Sequence, residues 1–510
     1  MKNKKFLAAF LAAVLLTATF TGCKKSEESK NTSSGTSGTD TSQEVVLKTY
    51  FLGDEGGETS DAALDALNEK LKEKINATLD PAAISWGDWK QKFPVILASG
   101  ESYDMIYTAN WAFYFTEGAK GAYMPLDDML PTYAPETYKQ MQEMNLIDGI
   151  KINGKIYMVP GYKEEVQTHD FVIREDLRKK YNVPEIDSYE DLEAYFDAIK
   201  QNEPSMLPLA LSPTSTGIIY NAVQYGPDWA RPIVGGDQGV ITYKIEDGTE
   251  VFSLVDTPEY EEFVTRQHEW YNKGYWSKSI LSEKSATKDQ FLAGTSATTI
   301  ENHGNIQNIY NTLQASNPDW EISVWSPDTT KIERSAPAGN GTAIGAHAKN
   351  PERSLMFLEL ATHDQEVYDL LTYGVEGVNY DLTSDGKIMR PENASPDANL
   401  NIRGLSMGIA NDELKRDSVL DWDWLVEAKT TAFENSVVPA LAGFVINEDN
   451  ISAEIAAITN VISEYKVPLD YGTVDPKEGL ETLRKKLKDA GIEKVIEELN
   501  KQVAEYNQSK

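Results

Sequence analysis

The sequence holds a single cysteine, Cys23, in 510 residues, so no intramolecular disulfide can form and the fold must be held by buried apolar surface alone. About 465 residues follow the N-terminal stretch, more than one core accommodates, which points to two large lobes with room for a smaller appendage. Past Cys23 no run of 18 apolar residues occurs, so no transmembrane helix is expected there. Acidic side chains outnumber basic ones by 80 to 48, for a formal charge of −32. No cluster of Lys and Arg interleaved with aromatics interrupts that acidity. A nucleic-acid partner is therefore not expected, and the charge reads as a solvated exterior.

The position of Cys23 carries further information. Lys2, Lys4 and Lys5 form a positive head, Phe6 to Leu16 is an apolar run, and small or polar residues lead to Thr21, Gly22 and Cys23. This is the layout of a secretory signal, with an apolar part too short for a permanent span. Removing residues 1–22 takes away those three lysines and no acid, which moves the formal charge from −32 to −35. The stretch resembles a bacterial lipobox, with Phe20 where Leu is usual. The resemblance implies that Cys23 is lipidated and becomes the first mature residue, and two acyl chains hold a protein stably on a membrane. Residues 24–43 contain no apolar side chain and read as a flexible linker, so the expected anchor and tether together span 23–43.

Beyond the tether the pattern is α/β. Glu44 to Leu52 is a β-rich run closed by a glycine loop, and Leu64, Leu67, Leu71 and Ile75 give one apolar face to a helix from about Ser60. Asp88 to Ala98 reads as a helix and Tyr103 to Tyr107 as a short buried strand. Asn110 and Trp111 then fall beyond its carboxyl end, where parallel sheets bind ligands. Lys151 to Tyr157 is a hairpin turned at Asn153-Gly154. Helices follow from the capping residue Ser188 and from Thr257-Pro258, the latter closed by Gly274. Residues 203–255 read as loop and short strand. Phe291 to Gly304 reads as helix end, turn, strand and glycine loop. A long helix from Pro351 breaks near His363-Asp364, a hairpin turns at Ser384-Asp385-Gly386, a helix spans about Asp421 to Val438, and two terminal helices split at Gly491.

Several ordered stretches resemble one family. The strand Tyr103-Asp104-Met105-Ile106-Tyr107, then Gly121-Ala122-Tyr123-Met124-Pro125-Leu126-Asp127-Asp128, Asn153 to Gly161, and Phe291 to Ile300 look like the family 1 extracellular solute-binding proteins of ABC importers. Asn350 to Leu355 and Tyr373 to Tyr380 look like its Gram-positive lipoprotein branch, which shares a C-terminal domain of unknown function that Phe444 to Tyr506 resembles. The resemblance implies an α/β, two-lobed type II periplasmic-binding-protein fold with three interlobe crossovers, near Pro160-Gly161, Thr298 to Glu301 and His347 to Pro351. On that basis 44–160 and 301–347 form lobe 1. Residues 161–300 and 348–510 form lobe 2, with a C-terminal helical extension at 444–510. The family closes on its ligand like a hinged clamp, most often for oligosaccharide uptake, and implies ABC permease subunits as partners; with the lipid anchor, the expected location is the extracellular face of the cytoplasmic membrane, and a monomer is expected.

Sugar recognition uses flat apolar faces for the C–H side of the ring and planar polar groups for its hydroxyls. Position at crossovers and strand ends selects Trp111, Tyr162, Trp276, Tyr373, Trp422 and Trp424 as stacking faces, with Asn110, Glu301, Asn302, His303 and Asp423 as hydroxyl partners. Enzyme signals are missing. The five histidines show no metal-ligand spacing, there is no nucleophile elbow or phosphate loop, and Gly339 to Gly345 departs from dinucleotide spacing by one residue. Asp381 to Glu392 nearly matches a calcium loop with Thr383 at the third place, but its Asp-Gly turn and returning strand read as a plain hairpin. The expected function is capture of an oligosaccharide without cofactor, metal or catalysis. A surface glycoside hydrolase, a receptor for a peptide-like solute and a structural adhesin are the alternatives.

Overall fold

A computed structural model describes residues 41–53, 58–161, 166, 168–213, 228–235, 238–327, 332–334, 337–392 and 405–509. The expected signal peptide, Cys23, most of the tether and Tyr162 lie outside them. The β-branched and aromatic run Val45–Leu52 forms β1, and Glu58–Ile75 forms α1, whose Leu67 and Leu71 share a buried cluster with Leu47. Asn76, at φ 48°, ends the helix in the left-handed region that Asn tolerates. Strand β2, Ala77–Ile84, was not foreseen. It runs parallel to β1 in register from Val45 with Ala77 to Leu52 with Ile84. It lies at the sheet edge, where Pro81 costs little because a missing N–H there breaks no ladder bond. Helix α2 (Trp89–Ala98), the fully buried β3 (Met105–Thr108), and β4 (Met158–Pro160) complete this stretch of chain.

Residues 161–168 lead to β5 (His169–Arg174), which starts a second sheet and core. Helix α3 (Tyr189–Asn202) begins at Ser188, whose hydroxyl accepts the Asp191 N–H at 3.1 Å. A hairpin of β6 (Ile241–Lys244) and β7 (Asp247–Ser253) precedes α4 (Pro258–Lys273), capped by Thr257 and stopped by Gly274 at φ 77°. Strand β8 (Thr298–Asn302) runs into α5 (His303–Ser316), so Gly304 lies in the first helical turn rather than in a loop. Strand β9 is Ile322–Trp325. Both β8 and β9 pair antiparallel with β5, giving the order β8-β5-β9.

The chain then passes through β10 (Ile332–Glu333) to β11 (Gly341–Ile344), which inserts antiparallel between β3 and β4. The first sheet therefore has the order β2-β1-β3-β11-β4. Helices α6 (Pro351–His363) and α7 (Gln365–Thr372) break where expected, at Asp364, whose carboxylate accepts the Val367 N–H. Their Leu355, Leu358, Val367 and Leu371 belong to the first core. Arg353 donates to the carbonyl of Asn76 at 3.1 Å, and Asp104, just before β3, accepts the N–H groups of Lys48 and Asn350. The expected hairpin forms between β12 (Asp381–Leu382) and β13 (Ile388–Met389), with Gly386 at φ 83°. Helix α8 (Asp423–Glu434) packs with α5, and β14 (Ser436–Val437) pairs with β10. Three further helices, α9 (Ser452–Val461), α10 (Pro476–Asp489) and α11 (Ile492–Ser509), join the second core.

Two lobe boundaries need correction. Residues 301–325 belong to the second lobe, because β8 and β9 take their backbone hydrogen bonds from β5. Residues 351–372 and 405–409 belong to the first, because α6, α7 and Leu405 and Ile409 bury their apolar side chains in the cluster of β1 and α1. Three crossings join the lobes, as expected, but they fall between β4 and β5, between β9 and β11, and after Ile409. Their described residues adjoin one another. Val166 bridges to Arg334, and a Cβ on Gly161 would meet the Ala410 backbone nitrogen at 3.5 Å.

Candidate functional site

In the first lobe the carboxyl ends of β2 and β3 bring four large rings together. Trp86 follows β2 and Trp111 follows β3; their rings stack at 6.0 Å and 17°, and they remain 51% and 40% exposed. Trp89 abuts Trp111 edge-on at 5.3 Å, and Tyr107 touches it at 5.8 Å. Water is normally kept from surface of this kind, and the exposed indole pair on this rigid sheet edge is the largest flat apolar surface that the lobe's described residues present beside the strand ends. The Trp111 ring is also fixed in orientation. Its indole N–H donates to the carbonyl of Gly339 at 2.9 Å, in the second crossing, while the Tyr107 hydroxyl reaches Asn340 Oδ1 at 2.5 Å.

The loop between β3 and the next helix is strained in support of this face. Phe113 has φ 66°, a conformation costly for a bulky side chain, and its ring is held by Trp89 and Phe93. Asn110 is exposed. Its N–H donates to the Ala338 carbonyl at 2.7 Å and its Oδ1 accepts the Trp111 N–H at 2.9 Å.

The second lobe offers polar groups at the matching edge, where β5 begins and β8 ends. His303 Nε2 lies 2.7 Å from Thr168 Oγ1 and 3.2 Å from Asp170 Oδ2, and Thr168 donates to that carboxylate at 2.9 Å. Asn302 caps α5 through the Asn305 N–H. Glu301 is 1% exposed, and burial pushes its carboxyl above the usual range against hydrogen bonds from Thr287, Asn305 and Thr299. It therefore holds the strand end and helix start together from below rather than offering itself to a ligand. His169 beside them has its pKa lowered to about 3, first by burial and then by the Arg231 cation. Its Nδ1 is enclosed without a hydrogen-bond partner among the described residues.

Further along α5, Tyr310 stacks on Trp422 at 4.9 Å and 1°, and Trp424 adjoins at 5.1 Å. Gln307 ties this group to the helix through the Trp422 N–H and the Leu420 carbonyl. Both tryptophans are half-buried, and Asp423 between them is exposed.

Two predicted stacking faces are not surfaces. Trp276 is 2% exposed in the second core, its indole N–H on the Tyr471 carbonyl at 3.2 Å. Tyr373 packs with Tyr368 and Tyr380, and its hydroxyl accepts the Arg416 N–H. Sequence reasoning missed Trp86, Trp89, Thr168, Asp170 and Tyr310. Of these Trp86 had a signal, the residue just past a strand, but Pro81 and the alanines of β2 obscured that strand. Among the described residues no group of His, Cys, Asp and Glu is arranged to hold a metal ion.

Two α/β lobes joined by three adjacent segments, with exposed aromatics and polar groups at the strand ends beside those segments, define a two-lobed solute-binding protein. The chain belongs to the bacterial extracellular solute-binding proteins, whose family model matches residues 62–389, and a domain of unknown function matches residues 440–508. It is 28% identical, over all of both chains, to a carbohydrate ABC transporter substrate-binding protein of Streptococcus pneumoniae. A polygalacturonan/rhamnogalacturonan-binding protein of Bacillus subtilis is 22% identical over 81% of each chain. Among solved structures, the N-glycan transport solute-binding protein of Streptococcus pneumoniae superposes with a TM-score of 0.76 at 26% identity, over 90% of this chain and 98% of that one.

Proposed function

We propose that this chain is a lipid-anchored receptor of an ABC importer, which captures an oligosaccharide between its lobes and passes it unaltered to the permease. The observation that carries the reading is the exposed Trp86–Trp111 pair at the first sheet's edge, a flat apolar face of the kind that pyranose rings cover. Asn110 beside it and Asn302 and His303 of the other lobe supply planar hydroxyl partners, with Thr168 and buried Asp170 fixing the imidazole, and Trp422, Asp423 and Trp424 extend the second lobe's face. A ligand touching both edges stabilises the closed arrangement over the open one, so binding and closure are the same event.

The sugar class follows the relatives. The pneumococcal N-glycan transport protein was solved with Man1GlcNAc and with Man5GlcNAc, so mannose-GlcNAc oligosaccharides are the first ligands to offer. Acylation at Cys23 would hold the body at the outer face of the cytoplasmic membrane, with residues 24–43 as the leash.

The test is a thermal-shift and calorimetric screen of the intact protein with Man5GlcNAc, an oligogalacturonide and a mixed peptide pool, each recovered and analysed afterwards. A raised Tm with the neutral glycan and its unchanged recovery is expected. Shortened glycan would establish an enzyme, and a response to peptides alone would move the receptor to another solute class. For the anchor, Cys23→Ser should shift the protein from the membrane fraction to the medium; retention on the membrane would refute acylation there.

A further inference from the structure

The helices of residues 440–508 have no core of their own. Ile458, Leu480, Leu483, Val495, Leu499 and Val503 are buried in the same cluster as Ile241, Phe263 and Trp270 of the second lobe. The join is close at the level of the backbone. A Cβ on Gly472, at φ 68°, would lie 2.2 Å from the Gln267 carbonyl oxygen of α4, and one on Gly248 would lie 2.7 Å from Leu441 Cδ2. Asn500 Oδ1 accepts the Val251 N–H at 2.8 Å, and Arg484 Nε donates to the Val255 carbonyl at 2.9 Å. Packing this dense leaves no plane for sliding, so the domain moves with the second lobe as one body.

Its leading loop nevertheless bears on the first lobe. A Cβ on Gly443, at φ 82°, would lie 3.5 Å from the Asp148 carbonyl oxygen and 3.8 Å from the Gly149 Cα. Tyr506 braces that loop, donating its hydroxyl to the Ala442 carbonyl and packing on Phe444 at 5.5 Å. The receiving turn, Asp148–Ile150, is backed by Pro337, against which Gly149 has no room for a Cβ. Pro337 itself lies in the second crossing, four residues after β10 pairs with β14. Contact therefore falls beside the hinge, where any rotation of one lobe on the other must open or tighten it.

We propose that residues 440–508 act as a stop, fused to the second lobe and seated on the Asp148–Gly149 turn, that sets the angle between the lobes before ligand arrives. The inference rests on the hinged two-lobe reading and not on the identity of the sugar, so its test is made without ligand. Cysteines placed at exposed Lys120 and Lys284 in a Cys23→Ser chain carry spin labels, and their distance distribution is read by pulsed electron resonance. Tyr506→Ala, which removes the brace, and Gly443→Ala, which strains the seated loop, should each broaden or displace that distribution by several ångströms while the circular dichroism stays unchanged. Wild-type distributions in the folded variants overturn the proposal; if Tyr506→Ala does not fold, Gly443→Ala decides alone. A distribution that shifts in both variants, in a protein that binds no glycan, upholds the stop and sinks the sugar reading separately.

Discussion

Trp86, Trp111 and Trp276 are the same kind of side chain in opposite circumstances, and the circumstances fix what their loss should do. Truncating Trp86 or Trp111 to Ala removes a face from a rigid edge without opening a core. Each should weaken oligosaccharide binding by about 30-fold, roughly 2 kcal/mol, with little change in Tm, as calorimetric titration would show. Trp276→Ala empties a core site and should cost about 3–5 kcal/mol of stability in urea unfolding, whatever it does to binding. His169 supplies a pH dependence. Its folded pKa is depressed to about 3 from 6.5, so the unfolded chain takes up a proton first as pH falls. The stability this group contributes is intact above pH 6.5 and lost progressively below it, by at most about 1.4 kcal/mol per pH unit. His169→Gln should flatten the fall in Tm between pH 6.5 and 4.5. That Asn110 and Trp111 stand exposed past a strand end could be read from the sequence because the Tyr103–Tyr107 strand before them is unmistakable. Trp276 and Tyr373 could not be told from ligand faces, since aromatics serve cores and sugars by the same apolar area.

At the scale of elements, caps and breaks were legible because their chemistry is local. Ser188, Thr257, Gly274, Asp364 and the Asn153-Gly154 turn all do what their side chains or positive φ angles dictate. Partners were not legible. The β-branched run Thr298-Thr299-Ile300 says that this is a strand but not that it pairs with His169–Arg174, and from that one pairing the lobe boundary moved. One element carries charge into the core. Between α9 and α10, Lys466 donates to Asp470 Oδ2 at 2.6 Å and the Tyr260 hydroxyl donates to Oδ1 at 2.9 Å, all three buried. Burial pushes the Asp470 carboxyl up while the ammonium opposes it. Asp470→Ala leaves that ammonium buried without its carboxylate and should cost about 3–5 kcal/mol in urea unfolding.

Across the whole molecule, two cores and no disulfide carry the fold, as the lone cysteine requires. The second core is completed only by the last seventy residues. A chain ending at Pro439 would lack the Asp470 and Tyr471 groups that Tyr260 and Trp276 bond, and it should aggregate on expression or bind a hydrophobic dye more strongly than the full chain. Two lobes were foreseeable from length and order of motifs; which segments return to which lobe was not, because three crossings allow many assignments that only packing distinguishes.

The indole of Trp111 is anchored on Gly339, in the very segment that must twist when the lobes rotate. Its fluorescence should therefore change colour as the jaws shut, even around a sugar that never touches the ring. A working clasp would carry its own optical gauge, with no dye attached.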